Sequence, residues 1–138
     1  MQEAEATTTL LTREARLIEG LRVLVEQYVD DHASPQSEDA LASLARRLRE
    51  RIRLEEQSLF PAIERLVGDP QFPQTQRMRR QHAVLLDLVR GIERALQEGK
   101  FTVAAGDLRE LKAALHAHLE EERRVLLPIL AAEGRGCA

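Results

Sequence analysis

Tryptophan is absent, and one tyrosine and three phenylalanines are the only aromatic residues in a chain of 138. Binding single-stranded nucleic acid by base stacking needs several exposed rings, so that class is excluded. A single cysteine, Cys137, rules out an internal disulfide, and its place near the end of the sequence reads as a terminal thiol without a redox role. No apolar run approaches the roughly 20 residues that a membrane-spanning helix requires. Met1 leads into Gln, Glu and Thr rather than a basic segment and an apolar stretch, so no secretory leader is expected, and the expected location is the cytoplasm. Charge of one sign is lacking too: 20 Lys and Arg face 23 Asp and Glu, for a net charge of -3. The arginine clusters at Arg46-Arg47, Arg51-Arg53 and Arg77-Arg80 are mostly interleaved with acids, which reads as solvated helix faces and not as a nucleic-acid surface.

What is present suits one globular helical domain spanning 1–138. Apolar residues make up 43% and charged residues 31% of the chain, and Leu and Ala dominate the apolar share. Unbranched side chains lose little rotamer freedom in a helix. Breaks divide the sequence into four helical segments. The first runs from about Thr8 to Asp31. The second opens at Ser34-Pro35, a good N-cap followed by a residue suited to the first helical position, and stops at Gly68-Asp69-Pro70. The third begins after Pro73 and closes at Gly99; the fourth begins near Thr102 and fades at Gly134-Arg135-Gly136. Short connections make successive helices antiparallel neighbours, so the expected fold is all-α, an up-down-up-down four-helix bundle.

Each segment carries a stripe with steps of three and four. The stripes are Leu11, Ala15, Ile18, Arg22, Val25 and Val29; Leu41, Leu44, Leu48, Arg51, Glu55, Leu59 and Ala62; Met78, His82, Leu85, Val89, Ile92 and Leu96; and Leu108, Leu111, Leu115, His118, Glu122, Val125 and Ile129. An offset of 67 residues lays Leu41, Leu44 and Leu48 onto Leu108, Leu111 and Leu115, Glu55 onto Glu122, and Pro61 onto Pro128. This is an internal repeat: hairpins at about 8–67 and 73–133, related by an approximate two-fold axis. Pro61 and Pro128 should bend their helices beyond the glutamates.

Glu55, His82, His118 and Glu122 interrupt these stripes on three helices. Burying unpaired carboxylates is costly, so a metal ion, a protonated imidazole or an arginine must lie between them. Imidazoles with carboxylates inside a bundle suit non-haem iron, with manganese or zinc as alternatives. The repeat marks what a symmetric site would contain. The C-terminal hairpin supplies His82, His118 and Glu122, whereas the N-terminal one supplies Glu55, with Ala15 and Arg51 in the two imidazole places. One bound ion, a dinuclear site completed by other ligands, and a metal-free polar core all remain open. Arg51 either fills the inner position or yields it to Ile52. His116, four residues before Glu120, falls on the polar face, and His32 falls in a turn.

The chain resembles the hemerythrin-like, HHE cation-binding family. The resemblance rests on Arg13-Glu14-Ala15-Arg16-Leu17-Ile18-Glu19, Arg51-x-x-x-Glu55-Glu56-Gln57-Ser58-Leu59-Phe60-Pro61, Gln81-His82, and His118-x-x-x-Glu122-Arg123-Arg124-Val125-Leu126-Leu127-Pro128. It implies a four-helix bundle around a non-haem di-iron centre that binds dioxygen or senses oxygen, nitric oxide or iron. It also implies Glu55 and Glu122 as bridging carboxylates and His82 and His118 as terminal ligands. Ala15 and Arg51 leave the second iron without imidazoles, so one iron or none per chain is expected. Met78 and Leu86 stand where the family's oxygen carriers place a further histidine, which argues against reversible dioxygen transport. No nucleophile or substrate pocket is evident, so an enzyme is not expected.

Overall fold

A computed structural model describes residues 35–136. The expected first helix, with Ala15, and also His32 and Cys137, lie outside the described residues. Every regular element among those described is helical: α1 (Pro35–Leu54), a π-helical turn (Glu55–Leu59), α2 (Phe60–Val67), α3 (Pro73–Gln97) and α4 (Phe101–Gly136). None of these helices is long and apolar enough to cross a membrane.

α1, the π-turn and α2 form one helical run, because Leu54 and Phe60 keep right-handed helical angles at both junctions. The wide turn corrects the expected stripe. The N–H of Phe60 donates to the carbonyl of Glu55, five residues back, which inserts one residue into the helical period. Phe60 and Ile63 are therefore fully buried, while Leu59 and Ala62, expected inward, are half-buried. Pro61 contributes, since it has no N–H for the carbonyl four residues earlier and its ring crowds that carbonyl. Proline alone does not explain the turn, because α4 carries Pro128 inside a continuous α-helix. The additional factor is Phe60: its repeat-related counterpart, Leu127, is only half-buried, and burying a phenylalanine contributes about 2–3 kcal/mol.

Two glycines end helices in the left-handed conformation that L side chains rarely adopt. Gly68 (φ 74°) closes α2 as Asp69 N–H reaches back to the Glu64 carbonyl, and Gly99 (φ 72°) closes α3 as Lys100 N–H reaches the Ala95 carbonyl. The contacts that follow these turns run in opposite directions along neighbouring helices. Arg77 meets Glu121, His82 meets His118, and Gly91 faces Asp107, so α3 and α4 are antiparallel. Arg49 meets Glu93 and Glu55 meets His82, so α1 is also antiparallel to α3.

The core has two apolar clusters. The larger joins Leu41, Leu44, Leu48 and Ile52 to Leu85, Val89, Ile92, Leu108, Leu111, Leu115 and Leu119. The smaller contains Phe60, Ile63, Met78 and Leu126. Along their helices Glu55, His82 and Glu122 fall between these clusters, and Arg51 and His118 sit at the edge of the larger one.

Beyond the smaller cluster, Glu64 ties α2 to α3. Its carboxylate accepts from Thr75 Oγ1 at 2.6 Å and from both terminal nitrogens of Arg79, at 2.6 and 3.2 Å. The Arg79 bonds, supported by Thr75, hold its pKa below the ordinary glutamate value despite burial. A depressed folded pKa contributes stability above the unfolded value of about 4.3, which is lost as pH falls through the folded value. Glu64→Gln is therefore expected to cost about 2 kcal/mol at pH 7. The difference from wild type should shrink in denaturant titrations below about pH 4. An equal difference at both pH values would show that the carboxylate charge is irrelevant.

Candidate metal centre

The centre is assembled from pairs one helical turn apart, because residues i and i+4 point from one helix face. Arg51 and Glu55 come from α1 and the start of the π-turn, His118 and Glu122 from α4, and His82 from the middle of α3. All five are buried, none more than 4% exposed. Donor atoms of Glu55, His82, His118 and Glu122 lie within 4.8 Å of one another. The four residues singled out from sequence are thus brought together. Arg51 and Ile52 are both inward, which resolves the choice between them: the helix buries Ile52 in the larger cluster and Arg51 in the polar layer.

The Nε2 atoms of His82 and His118 face each other at 3.1 Å. Oε2 of Glu55 lies 2.8 Å from the first and 3.5 Å from the second, and Oε1 of Glu122 lies 2.5 Å from His118 Nε2. Donor atoms bound to one small ion at ~2.1 Å stand ~3 Å apart, and these separations of 2.5–3.5 Å are of that size. Among the described residues, Glu122 Oε1 has no well-directed hydrogen bond despite that proximity. Two imidazole nitrogens and two carboxylates also form a suitable donor set for iron, manganese or zinc.

Arg51 divides the carboxylate oxygens into two groups. Its Nε donates to Glu55 Oε1 at 2.9 Å and one terminal nitrogen donates to Glu122 Oε2 at 3.1 Å. The oxygens left to face the imidazoles are Glu55 Oε2 and Glu122 Oε1. A guanidinium stands where the repeat would place the counterpart of the His118 imidazole, against both carboxylates.

The metal-free electrostatics follow from this packing. Burial would raise the Glu55 carboxyl, but hydrogen bonds from His118 and His82 and the Arg51 charge hold it well below the usual range. Burial pushes Glu122 up, to about 7, against the opposing pull of nearby His118 and with repulsion from Glu55. His118 goes the other way: burial would lower it, yet Glu122 and Glu55 raise it to about 9.

Other residues shape the pocket. Phe60 stacks on the His82 ring with centroids 5.3 Å apart, and the Arg79 guanidinium lies over the Phe60 ring at 5.4 Å. Gln81 Oε1 lies 2.6 Å from His118 Nδ1. Phe60 was missed because the π-turn moves it inward. Gln81 was read only beside His82, although Arg77 and Gln81 share a helix face. Met78 is fully buried and Leu86 half-buried, so neither place holds an imidazole. His116 is exposed, as expected.

Comparison with curated proteins and with solved structures gave no match. A family model, the hemerythrin HHE cation binding domain, matches residues 7–130. That match covers most of the sequence and includes all five residues of the centre, so the chain belongs to the hemerythrin HHE cation-binding family.

Proposed function

We propose that this chain is a mononuclear non-haem iron protein that handles or senses iron, dioxygen or nitric oxide. The observation that carries the reading is the convergence of four buried donor residues, with Arg51 occupying the outer oxygen of each carboxylate. In this reading His82 and His118 hold the ion through Nε2, and Glu55 and Glu122 through Oε2 and Oε1. Arg51 offsets carboxylate charge in the place of a second ion. When bound, the ion supplies a Lewis acid and a one-electron redox centre. The described helices, joined by a helix over about 8–31, would complete a single-domain, antiparallel four-helix bundle in the cytoplasm.

The alternative is a metal-free interaction module. It is favoured by one observation: Arg51 pairs with both Glu55 and Glu122, and the acids beside His118 favour its charged form, so the carboxylates can be offset without an ion. Elemental analysis of protein purified without chelators separates the two readings. The expected result is one iron per chain; metal at trace levels supports the module, and two ions per chain would show that Arg51 does not exclude the second.

A further inference from the structure

The two imidazoles present the same nitrogen to the centre, but their other nitrogens meet different surroundings. Among the described residues, His82 Nδ1 has no hydrogen-bond partner; it lies 3.4 Å from Oε2 of half-buried Glu56. His118 Nδ1 is 2.6 Å from Gln81 Oε1, and the contacts continue outward from there. Gln81 Nε2 donates to Glu121 Oε2 at 2.8 Å, and Glu121 Oε1 accepts from the half-exposed Arg77 guanidinium.

The proton positions along this chain follow from its outer end. A guanidinium only donates, and a carboxylate paired with it only accepts. Gln81 must therefore turn its NH2 group toward Glu121, which leaves its carbonyl oxygen for His118. That oxygen only accepts, so His118 Nδ1 must carry a proton. With the Nδ1 proton held there, Nε2 is the nitrogen that can offer a lone pair, and it is the one facing Glu55, Glu122 and His82. The same hydrogen bond sets the rotation of the ring, since Oε1 of Gln81 is anchored from the neighbouring helix.

We propose that Gln81, oriented by Glu121 and Arg77, is a positioning residue that keeps a proton on His118 Nδ1 and aims Nε2 into the centre. The proposal rests on reading His118 as a metal ligand. Partners of this kind beyond the ligands fix the tautomer of a ligating histidine, and losing one typically weakens metal binding about 10- to 100-fold. Glu121 and Arg77 act through Gln81.

The test uses full-length protein labelled with 15N at histidine, both metal-free and loaded with Zn2+ as a diamagnetic probe. In wild type, the His118 Nδ1 proton should exchange slowly in both forms, and zinc should bind through Nε2. Gln81→Leu should speed that exchange in the metal-free protein and weaken zinc binding about 10- to 100-fold. The exchanged pair Gln81→Glu with Glu121→Gln keeps a donor at 121 and an acceptor at 81. It should restore slow exchange and most of the affinity, which a merely space-filling role for Gln81 would not produce. Unchanged exchange and affinity in Gln81→Leu, or a His118 proton found on Nε2 in the zinc form, overturns the proposal. If wild type takes up no zinc but Gln81→Leu still speeds metal-free exchange, the clamp stands and the metal-binding reading fails.

Discussion

Replacing Arg51 with alanine should destabilise the metal-free protein by about 3 kcal/mol. For a chain of this length that lowers the melting temperature by roughly 10 °C. The side chain is 4% exposed and bonds two carboxylates from different helices, Glu55 and Glu122. A buried ion pair need not add net stability over a well-packed apolar alternative, but removing one partner leaves the other charge uncompensated. Here one guanidinium partners two carboxylates, so both are exposed to that penalty. Arg51→Lys should recover only part of the loss, because an ammonium lacks the planar fork that reaches both acids. Added Fe2+ should raise the melting temperature of Arg51→Ala more than that of wild type, since the ion then supplies the missing positive charge. Melts of the three proteins with and without metal test all of this. An unchanged melting temperature for metal-free Arg51→Ala would show that the guanidinium does not neutralise the buried acids.

Stoichiometric metal should be lost altogether in His118→Ala. The substitution removes a donor nitrogen positioned 3.1 Å from His82 Nε2 and 2.5 Å from Glu122 Oε1. It also removes the cation that faces Glu122 when no ion is bound. What remains is His82 and two carboxylates already engaged by Arg51, a weaker donor set than the original. His116→Ala is the control, because that imidazole is exposed and lies on the same helix. Iron counts of one for wild type and His116→Ala against none for His118→Ala are expected. Equal counts in all three would place the ion elsewhere.

These outcomes bear on residues that differ in how readable they were from sequence. The pairs Arg51/Glu55 and His118/Glu122 were legible because a spacing of four is a statement about one helix, and local geometry turns it into a shared face. The 67-residue repeat then indicated that Arg51 occupies the place of an imidazole, and the structure puts it against both acids. The stripe through Leu59 and Ala62 failed at one turn. A uniform period cannot register an inserted residue whose cause is the burial of Phe60 against His82.

Sequence by itself determined the helical segments after residue 34, the faces they bury outside the π-turn and the residues after it, and the identity of four candidate ligands. All of these follow from spacing and composition within single helices. Only the tertiary structure decided which oxygen of each carboxylate faces the imidazoles, which nitrogen of His118 is held by Gln81, and where the π-turn falls. Those choices depend on separations of about 3 Å between side-chain atoms, most of them on different helices. They are set by competition between packing an aromatic ring, satisfying buried charges and keeping the helical hydrogen bonds, and no spacing within one segment records that balance.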